Sequence, residues 1–252
     1  LLVQQAQVNL ALQDDKPEQA LVVARKVQAQ RPDDAAGFSM EGDIEQRRRN
    51  WDAAATALRK AVTRKSPGDS VERLHGALLA SKKTADADKL ATEWRKSHPD
   101  DLAFVLHLGD SALASGNPAQ AEALYAEVLA RQPDNVIAMN NQAYVLALQK
   151  KPGAVTLAEK AMQKAPKSPA VMDTLAYTLA AEQKLPRAIE VQAQAVAAAP
   201  AAPQFRLQLA RLHLQAGDKP SARTELQTLA KLGAAFSRQA EVSELLKQSG
   251  GG

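Results

Sequence analysis

The side chains that could perform acid–base or metal chemistry are few and scattered along the chain. The four histidines are His75, His98, His107 and His213, and none of them forms a pair at a metal-binding spacing. The sequence has no cysteine, which excludes disulfides, thiolate metal sites and cysteine nucleophiles. It also lacks a glycine-rich phosphate loop and the strand–turn–helix setting of a nucleophilic serine. We therefore expect no catalytic residue, no metal and no cofactor, and predict that the protein is not an enzyme.

A cluster of basic residues is the second feature that could have a chemical role. It consists of Arg47, Arg48, Arg49, Arg59, Lys60, Arg64 and Lys65. Counterion release could draw a nucleic acid to such a patch. No aromatic run interleaves the cluster, acidic residues lie within one or two helical turns of it, and the formal net charge is only +4. These observations favour a solvated surface, and we expect no nucleic-acid partner.

A repeat in the sequence predicts the secondary-structure elements that would position any functional site. Alanine recurs at intervals of 33 or 34 residues, at Ala20, Ala54, Ala87, Ala121, Ala154, Ala188 and Ala222, and a proline follows most of these alanines by twelve residues. The interval divides the chain into repeats 1 to 7, with the boundaries 1–34, 35–68, 69–101, 102–135, 136–168, 169–202 and 203–236. We predict a capping helix at 237–248 and a disordered tail at 249–252.

Each repeat is predicted to be a pair of helices. Aromatic residues make up only 4% of the chain, and no uninterrupted apolar run reaches the eighteen residues of a membrane span. We expect prolines to start many of the second helices, at Pro17, Pro118, Pro152, Pro186 and Pro220. Small residues also recur in the first helices, at Gly42, Gly76, Gly109, Ala143, Ala176 and Ala210, and would let paired helices approach closely. The predicted fold class is all-α.

This pattern resembles the tetratricopeptide repeat (TPR) family, whose 34-residue unit has small residues at its eighth and twentieth positions. Repeat 4, with Gly109, Ala121, Tyr125 and Pro133, matches best. The resemblance implies a right-handed α-solenoid of seven helix–turn–helix units whose first helices line a concave groove. Unit positions two, five, six, nine, twelve and thirteen face that groove in the family. The groove residues so implied are Asn9, Arg73, His107, Asp110, Asn140, Asn141, Tyr144, Asp173, Thr174, Tyr177 and Arg211.

Two consecutive repeats each place polar side chains one helical turn before a tyrosine. Asn140 and Asn141 precede Tyr144, and Asp173 and Thr174 precede Tyr177. Side chains of this kind could bind an extended peptide, the amides through its backbone and the rings through an apolar side chain. Alternatively, the same residues stabilise packing between repeats.

The resemblance implies a non-enzymatic scaffold that binds a protein or peptide partner. A narrower similarity is to bacterial TPR lipoproteins of exopolysaccharide export and PEP-CTERM protein sorting. It implies a periplasmic or outer-membrane protein with a lipid anchor upstream. We also expect further repeats upstream, because the first residue of the chain coincides with a repeat boundary. A cytoplasmic location stays open. Two alternatives are the substrate-recruiting arm of an enzyme such as a glycosyltransferase, and an RNA-binding solenoid, which acidic groove residues such as Asp110 disfavour.

Overall fold

The computed structural model describes residues 1–65 and 67–250, and in them the chain forms fifteen α-helices and one 3₁₀ turn. The helices are α1 (Leu2–Gln13), α2 (Pro17–Gln30), α3 (Ala36–Arg47), α4 (Trp51–Val62), α5 (Ser70–Ala80), α6 (Thr84–Ser97), α7 (Leu102–Ala114), α8 (Pro118–Arg131), α9 (Val136–Leu148), α10 (Ala154–Lys164), α11 (Pro169–Ala181), α12 (Leu185–Ala198), α13 (Pro203–Gln215), α14 (Lys219–Ala230) and α15 (Gln239–Gln248). The 3₁₀ turn lies at Gly233–Ala235. The all-α class is confirmed.

The chain divides into two units, an N-terminal unit, Leu1–Leu108, and a C-terminal unit, Gly109–Gly252. Within the N-terminal unit, α1 packs on α2 and α3 on α4, and α2 and α4 each pack on the first helix that follows. The C-terminal unit repeats this arrangement from α8 to α15. Two helices fall in each predicted repeat, so each unit is a stack of helical hairpins, as an α-solenoid requires.

Close helix packing depends on the recurring small residues. All seven marker alanines are buried. A Cβ atom added to Gly42 would lie 2.6 Å from Leu58 Cγ, and one added to Gly109 would lie 2.5 Å from Tyr125 Cε1, so a larger residue there would push the helices apart. Gly76 differs from this expectation, because an added Cβ would meet nothing within 4 Å.

The turns inside the hairpins share one backbone feature that recurs with the repeat. The second residue after the first helix has a positive φ angle in each of them: Asp15, Arg49, Lys82, Gly116, Lys150, Gln183 and Gly217. The fifth turn contains a further such residue, Gly153. Only two of the seven are glycine, although a left-handed conformation costs other residues about 1 kcal/mol. The packed helices therefore impose the turn geometry on residues that do not favour it.

The expected proline starts are correct for four second helices and wrong for one. Pro17 and Pro118 are the first residues of α2 and α8, and Pro186 and Pro220 are the second residues of α12 and α14. However, α10 begins only at Ala154. Gly153 precedes it with φ +89°, a conformation that cannot continue a helix back to the proline.

The stack ends in the predicted capping helix, α15. Val242 is fully buried and packs with Leu207, Leu226 and Leu229. Ser249, which we expected in the disordered tail, instead closes α15, where its hydroxyl donates to the Leu246 carbonyl at 2.7 Å. Residues 251 and 252 of that predicted tail lie outside the described residues. Within the described parts of the chain, every helix is too short or too polar to cross a membrane.

Candidate functional site

The first helices of successive hairpins contact one another directly. In the C-terminal unit, α9 contacts α11 and α11 contacts α13, and in the N-terminal unit α1 contacts α3. We call the surface that they form in each unit the first-helix face. All eleven residues that the sequence assigned to a groove lie on first helices, on α1, α5, α7, α9, α11 and α13.

In the N-terminal unit, the structure brings Asn9 and Arg73 to the rim of one cavity of about 510 Å³. Trp51 also lines it. The Arg73 guanidinium is held by two carboxylates, with Asp43 at 2.7 Å and Asp69 at 2.9 Å. These two carboxylates already compensate the charge of Arg73. Arg73 therefore connects residues around this cavity and is not a free cation for a ligand.

His107 forms a hydrogen-bonded pair with His75, one repeat earlier. His75 Nδ1 and His107 Nε2 are 3.0 Å apart, so one ring donates and the other accepts. The edge of His75 faces Phe104, with ring centroids 6.0 Å apart. Burial, reinforced by the nearby His107, lowers the pKa of His75 to about 4, so its ring is neutral at pH 7.

In the C-terminal unit, Asp110 joins three helices by hydrogen bonds. Its carboxylate accepts from the Tyr125 hydroxyl at 2.6 Å and from Asn141 Nδ2 at 2.9 Å. Asn140 in turn donates to Asn141 Oδ1 at 3.2 Å. Asn140 Oδ1 is buried and has no hydrogen-bond partner among the described residues.

Tyr144 and Tyr177 come together across α9 and α11. Their ring centroids lie 4.9 Å apart with the planes tilted by 36°, a favourable aromatic contact. Both side chains are half-buried, and burial raises the pKa of Tyr177. The two tyrosines, which belong to consecutive repeats, therefore form one aromatic surface.

The remaining predicted residues of the C-terminal unit are held by neighbouring side chains. Asp173 accepts from Gln192 Nε2 at 2.7 Å, and burial raises the pKa of its carboxyl group. Thr174 is buried. Arg211 donates through Nε to Glu241 Oε1 at 3.0 Å. The contact between Asp173 and Gln192 lies within repeat 6, whereas the contact between Arg211 and Glu241 joins repeat 7 to α15.

A cavity of about 720 Å³ opens beside Tyr177, where α9 and α11 end. Sequence reasoning did not single out most of its lining, which includes Ala147, Leu148, Ala180, Ala181, Gln208 and Gln215. These residues occupy positions six, twelve and thirteen of their repeats, so the family pattern already contained the signal. Four of the six are apolar and two are glutamines, so the polarity of a side chain did not mark the lining of this cavity.

The basic cluster in the N-terminal unit is engaged in local contacts. Arg48 pairs with Glu18 at 3.0 Å, and Arg59 pairs with Asp86 at 3.0 Å. The Arg64 guanidinium lies over the Phe38 ring, 5.1 Å from its centroid. The ion pairs compensate the charges of Arg48 and Arg59, whereas the contact of Arg64 with a ring leaves its charge in place.

Comparison with known proteins places the chain in a family. Two family models, both described as tetratricopeptide repeat, match it, one over residues 6–70 and 106–170 and the other over residues 179–248. The first model alone covers more than half of the chain. The protein therefore belongs to the tetratricopeptide repeat family, whose repeats build protein-interaction scaffolds.

Solved structures support the same fold. A tetratricopeptide repeat protein from Parabacteroides merdae ATCC 43184 aligns with a TM-score of 0.68 at 13% identity, over 98% of this chain and 97% of its own. The APC/C hetero-tetramer Cut9–Hcn1 also gives 0.68 at 13% identity, over 96% of this chain and 48% of its own. A thermophilic TPR protein from Thermus thermophilus gives 0.60 at 19% identity, over 71% and 98%. No curated protein matches the sequence.

Proposed function

We propose that this protein is a non-enzymatic scaffold that holds an extended peptide segment of a partner protein on the first-helix face of its C-terminal unit. The observation that carries the proposal is the contact between Tyr144 and Tyr177 beside the 720 Å³ cavity. An aromatic surface next to an apolar recess suits a side chain that must leave water.

The polar groups around this surface suit a peptide backbone. Asn140 and Asn141 lie one helical turn before Tyr144 on α9, and amide groups of this kind can bind the backbone of an extended peptide. The amides of Gln208 and Gln215, which line the cavity, can each donate and accept. This combination favours an extended segment whose backbone is unpaired.

Charge at the cavity favours an acidic residue next to the apolar one. Lys151 is paired with Glu122 at 2.6 Å, and Glu182 with Lys184 at 2.7 Å. Lys150 also lines the cavity, and its ammonium group has no ion pair within the described residues. A carboxylate of the ligand would supply one.

The test uses a displayed library of random twelve-residue peptides, selected on the wild-type chain and measured by fluorescence anisotropy. We expect selected peptides to combine an apolar and an acidic residue. The double variant Tyr144→Ala/Tyr177→Ala should weaken their binding at least tenfold, because it removes the aromatic surface. The control Gln163→Ala/Gln194→Ala, on exposed positions of second helices α10 and α12, should bind like the wild type. Undiminished binding by the tyrosine variant at unchanged helicity would contradict the proposal.

A proposal for the cellular location of this scaffold rests on the narrower resemblance to repeat proteins of bacterial exopolysaccharide export and PEP-CTERM sorting. We extend the proposal to an envelope location with a partner of that system. Fractionation of the native cells with an antibody against the chain tests this extension, and an entirely cytoplasmic protein would contradict it.

A further inference from the structure

Helix α9 has an exposed apolar side chain near each of its ends. Ile137, its second residue, is 60% exposed, and Leu148, its last residue, is 44% exposed and lines the 720 Å³ cavity. Leu232 is the other large hydrophobic side chain that is exposed in the described part of the C-terminal unit. Ile137 and Leu148 are eleven residues apart, which is three helical turns to within about 20°. The two side chains therefore lie on the same side of α9.

The residues between these two ends complete a strip along α9. Asn141 and Tyr144 follow Ile137 by four and seven residues, so they lie on the same side of the helix. Both are half-buried, whereas Ala138 and Ala143 are buried. Helix α9 contains no charged residue, so a ligand that lies along it meets no charge of the helix. The strip thus presents an apolar group, an amide, a ring and a second apolar group in order.

The packing of the repeats does not require a large apolar side chain at Ile137. The same position, position two, is Ala170 in repeat 6 and Gln204 in repeat 7, and both are exposed. Position two is one of the groove positions of the family pattern, although sequence reasoning did not select Ile137. An alanine or a glutamine is sufficient there for the stack, so the isoleucine is an apolar contact that the fold leaves unused.

We propose that Ile137 is a second contact for the partner, and that one extended peptide spans α9 from the recess at Leu148 to Ile137. The inference rests on the proposed function, and it adds that the bound segment has two apolar residues. Ile137 and Leu148 are about 16 Å apart along the helix axis, a distance that an extended chain spans with about five residues. Side chains alternate along an extended chain, so two that both face α9 are about four or six positions apart.

The amide between the two apolar contacts favours an extended ligand over a helical one. An extended segment offers free backbone N–H and C=O groups to a side chain such as Asn141, whereas the backbone groups of a helix are bonded to one another. A helix lying along α9 would place its two apolar residues about eleven positions apart, because both helices rise by the same distance per residue. The spacing in the ligand therefore distinguishes the two cases.

Alanine substitution along a bound peptide measures this spacing. Twelve-residue peptides selected on the wild-type chain are substituted at each position in turn, and dissociation constants are measured by fluorescence anisotropy. We expect two apolar residues, four or six positions apart, whose loss weakens binding about tenfold each. A single apolar residue with this effect, or a pair at any other spacing, would overturn the inference.

Variants of the chain assign the second contact to Ile137. Ile137→Asn should weaken binding of a selected peptide about tenfold, and Ile137→Leu should bind like the wild type. The control Val22→Asn changes a side chain of α2 that is 67% exposed, and it should also bind like the wild type. A peptide without its second apolar residue should bind Ile137→Asn and the wild type equally, because the contact is already absent.

The outcomes separate this inference from the proposed function. If Ile137→Asn binds like the wild type while Tyr144→Ala/Tyr177→Ala binds weakly, the second contact is overturned and the peptide scaffold stands. If neither variant loses affinity while both keep their helicity, both proposals are overturned.

Discussion

A single packing residue can set the position of a binding residue in this molecule. The ring of Tyr125 fills the space that a side chain at Gly109 would need, and its hydroxyl donates to Asp110. Asp110 then accepts from Asn141, which accepts from Asn140. The glycine therefore helps to hold the asparagines of the candidate site through three hydrogen bonds. The same series of hydrogen bonds therefore links the packing of the helices to the residues of the candidate site.

The buried histidine pair makes stability depend on pH. The ordinary pKa of histidine is 6.5, and in the folded chain the pKa of His75 is about 4. Between these values, the unfolded chain binds a proton that the folded chain does not, so stability is complete above pH 6.5 and falls as the pH drops towards 4. We expect His75 to account for a loss of about 3 kcal/mol in the free energy of unfolding across this window.

Urea unfolding at several pH values, compared between variants, separates the contribution of His75 from the contribution of the carboxyl groups. One of these carboxyl groups, Asp88, lies near the ring. His75→Gln should be less stable than the wild type near neutral pH but should lose less stability on acidification. Gln163→Ala, at an exposed position of α10 and without a titratable group, should keep the wild-type pH dependence. The same pH dependence in His75→Gln and the wild type would show that His75 does not titrate abnormally.

At the level of elements, the alanine interval was enough to predict fourteen of the helices and their pairing. It worked because a minimal side chain is required wherever two helices cross closely, as at the fully buried Ala188. It could not predict the start of α10, which depends on the left-handed conformation of Gly153. Nor could it predict that Asp110 and Asn141 are hydrogen-bonded, because contacts between repeats depend on rotamers that one repeat alone does not determine.

The packing of α12 gives a sharp prediction. Ala188 lies in a core with Ala176, Leu179 and Val191, and an aspartate there would be both too large and an unpaired buried charge. Ala188→Asp should lower the free energy of unfolding by more than about 3 kcal/mol. Ala193→Asp, at an exposed site of the same helix, should cost less than about 1 kcal/mol, and denaturant titration measures both. Similar losses in the two variants would contradict the packed face assigned to α12.

At the level of the whole molecule, the first-helix faces of the two units differ in chemistry. In the N-terminal unit this face carries the Arg73 guanidinium, held between Asp43 and Asp69. The first-helix face of the C-terminal unit combines rings, amides and an apolar recess, which suits a peptide. Family membership predicted that such a face exists. Its apolar part, at Leu148 and its neighbours, occupies groove positions of the family pattern, but the pattern alone did not show that these side chains surround a cavity.

The most direct test of the candidate site is a charge placed in its recess. Leu148 lines the cavity and is 44% exposed, and Leu232 has the same exposure but lies outside the residues that line it. Leu148→Asp should weaken binding of a selected peptide at least tenfold, which corresponds to about 1.4 kcal/mol, while Leu232→Asp should leave the dissociation constant within twofold of the wild type. Equal binding by Leu148→Asp and the wild type, with both chains folded, would contradict the assignment of this recess as the place where a partner is held.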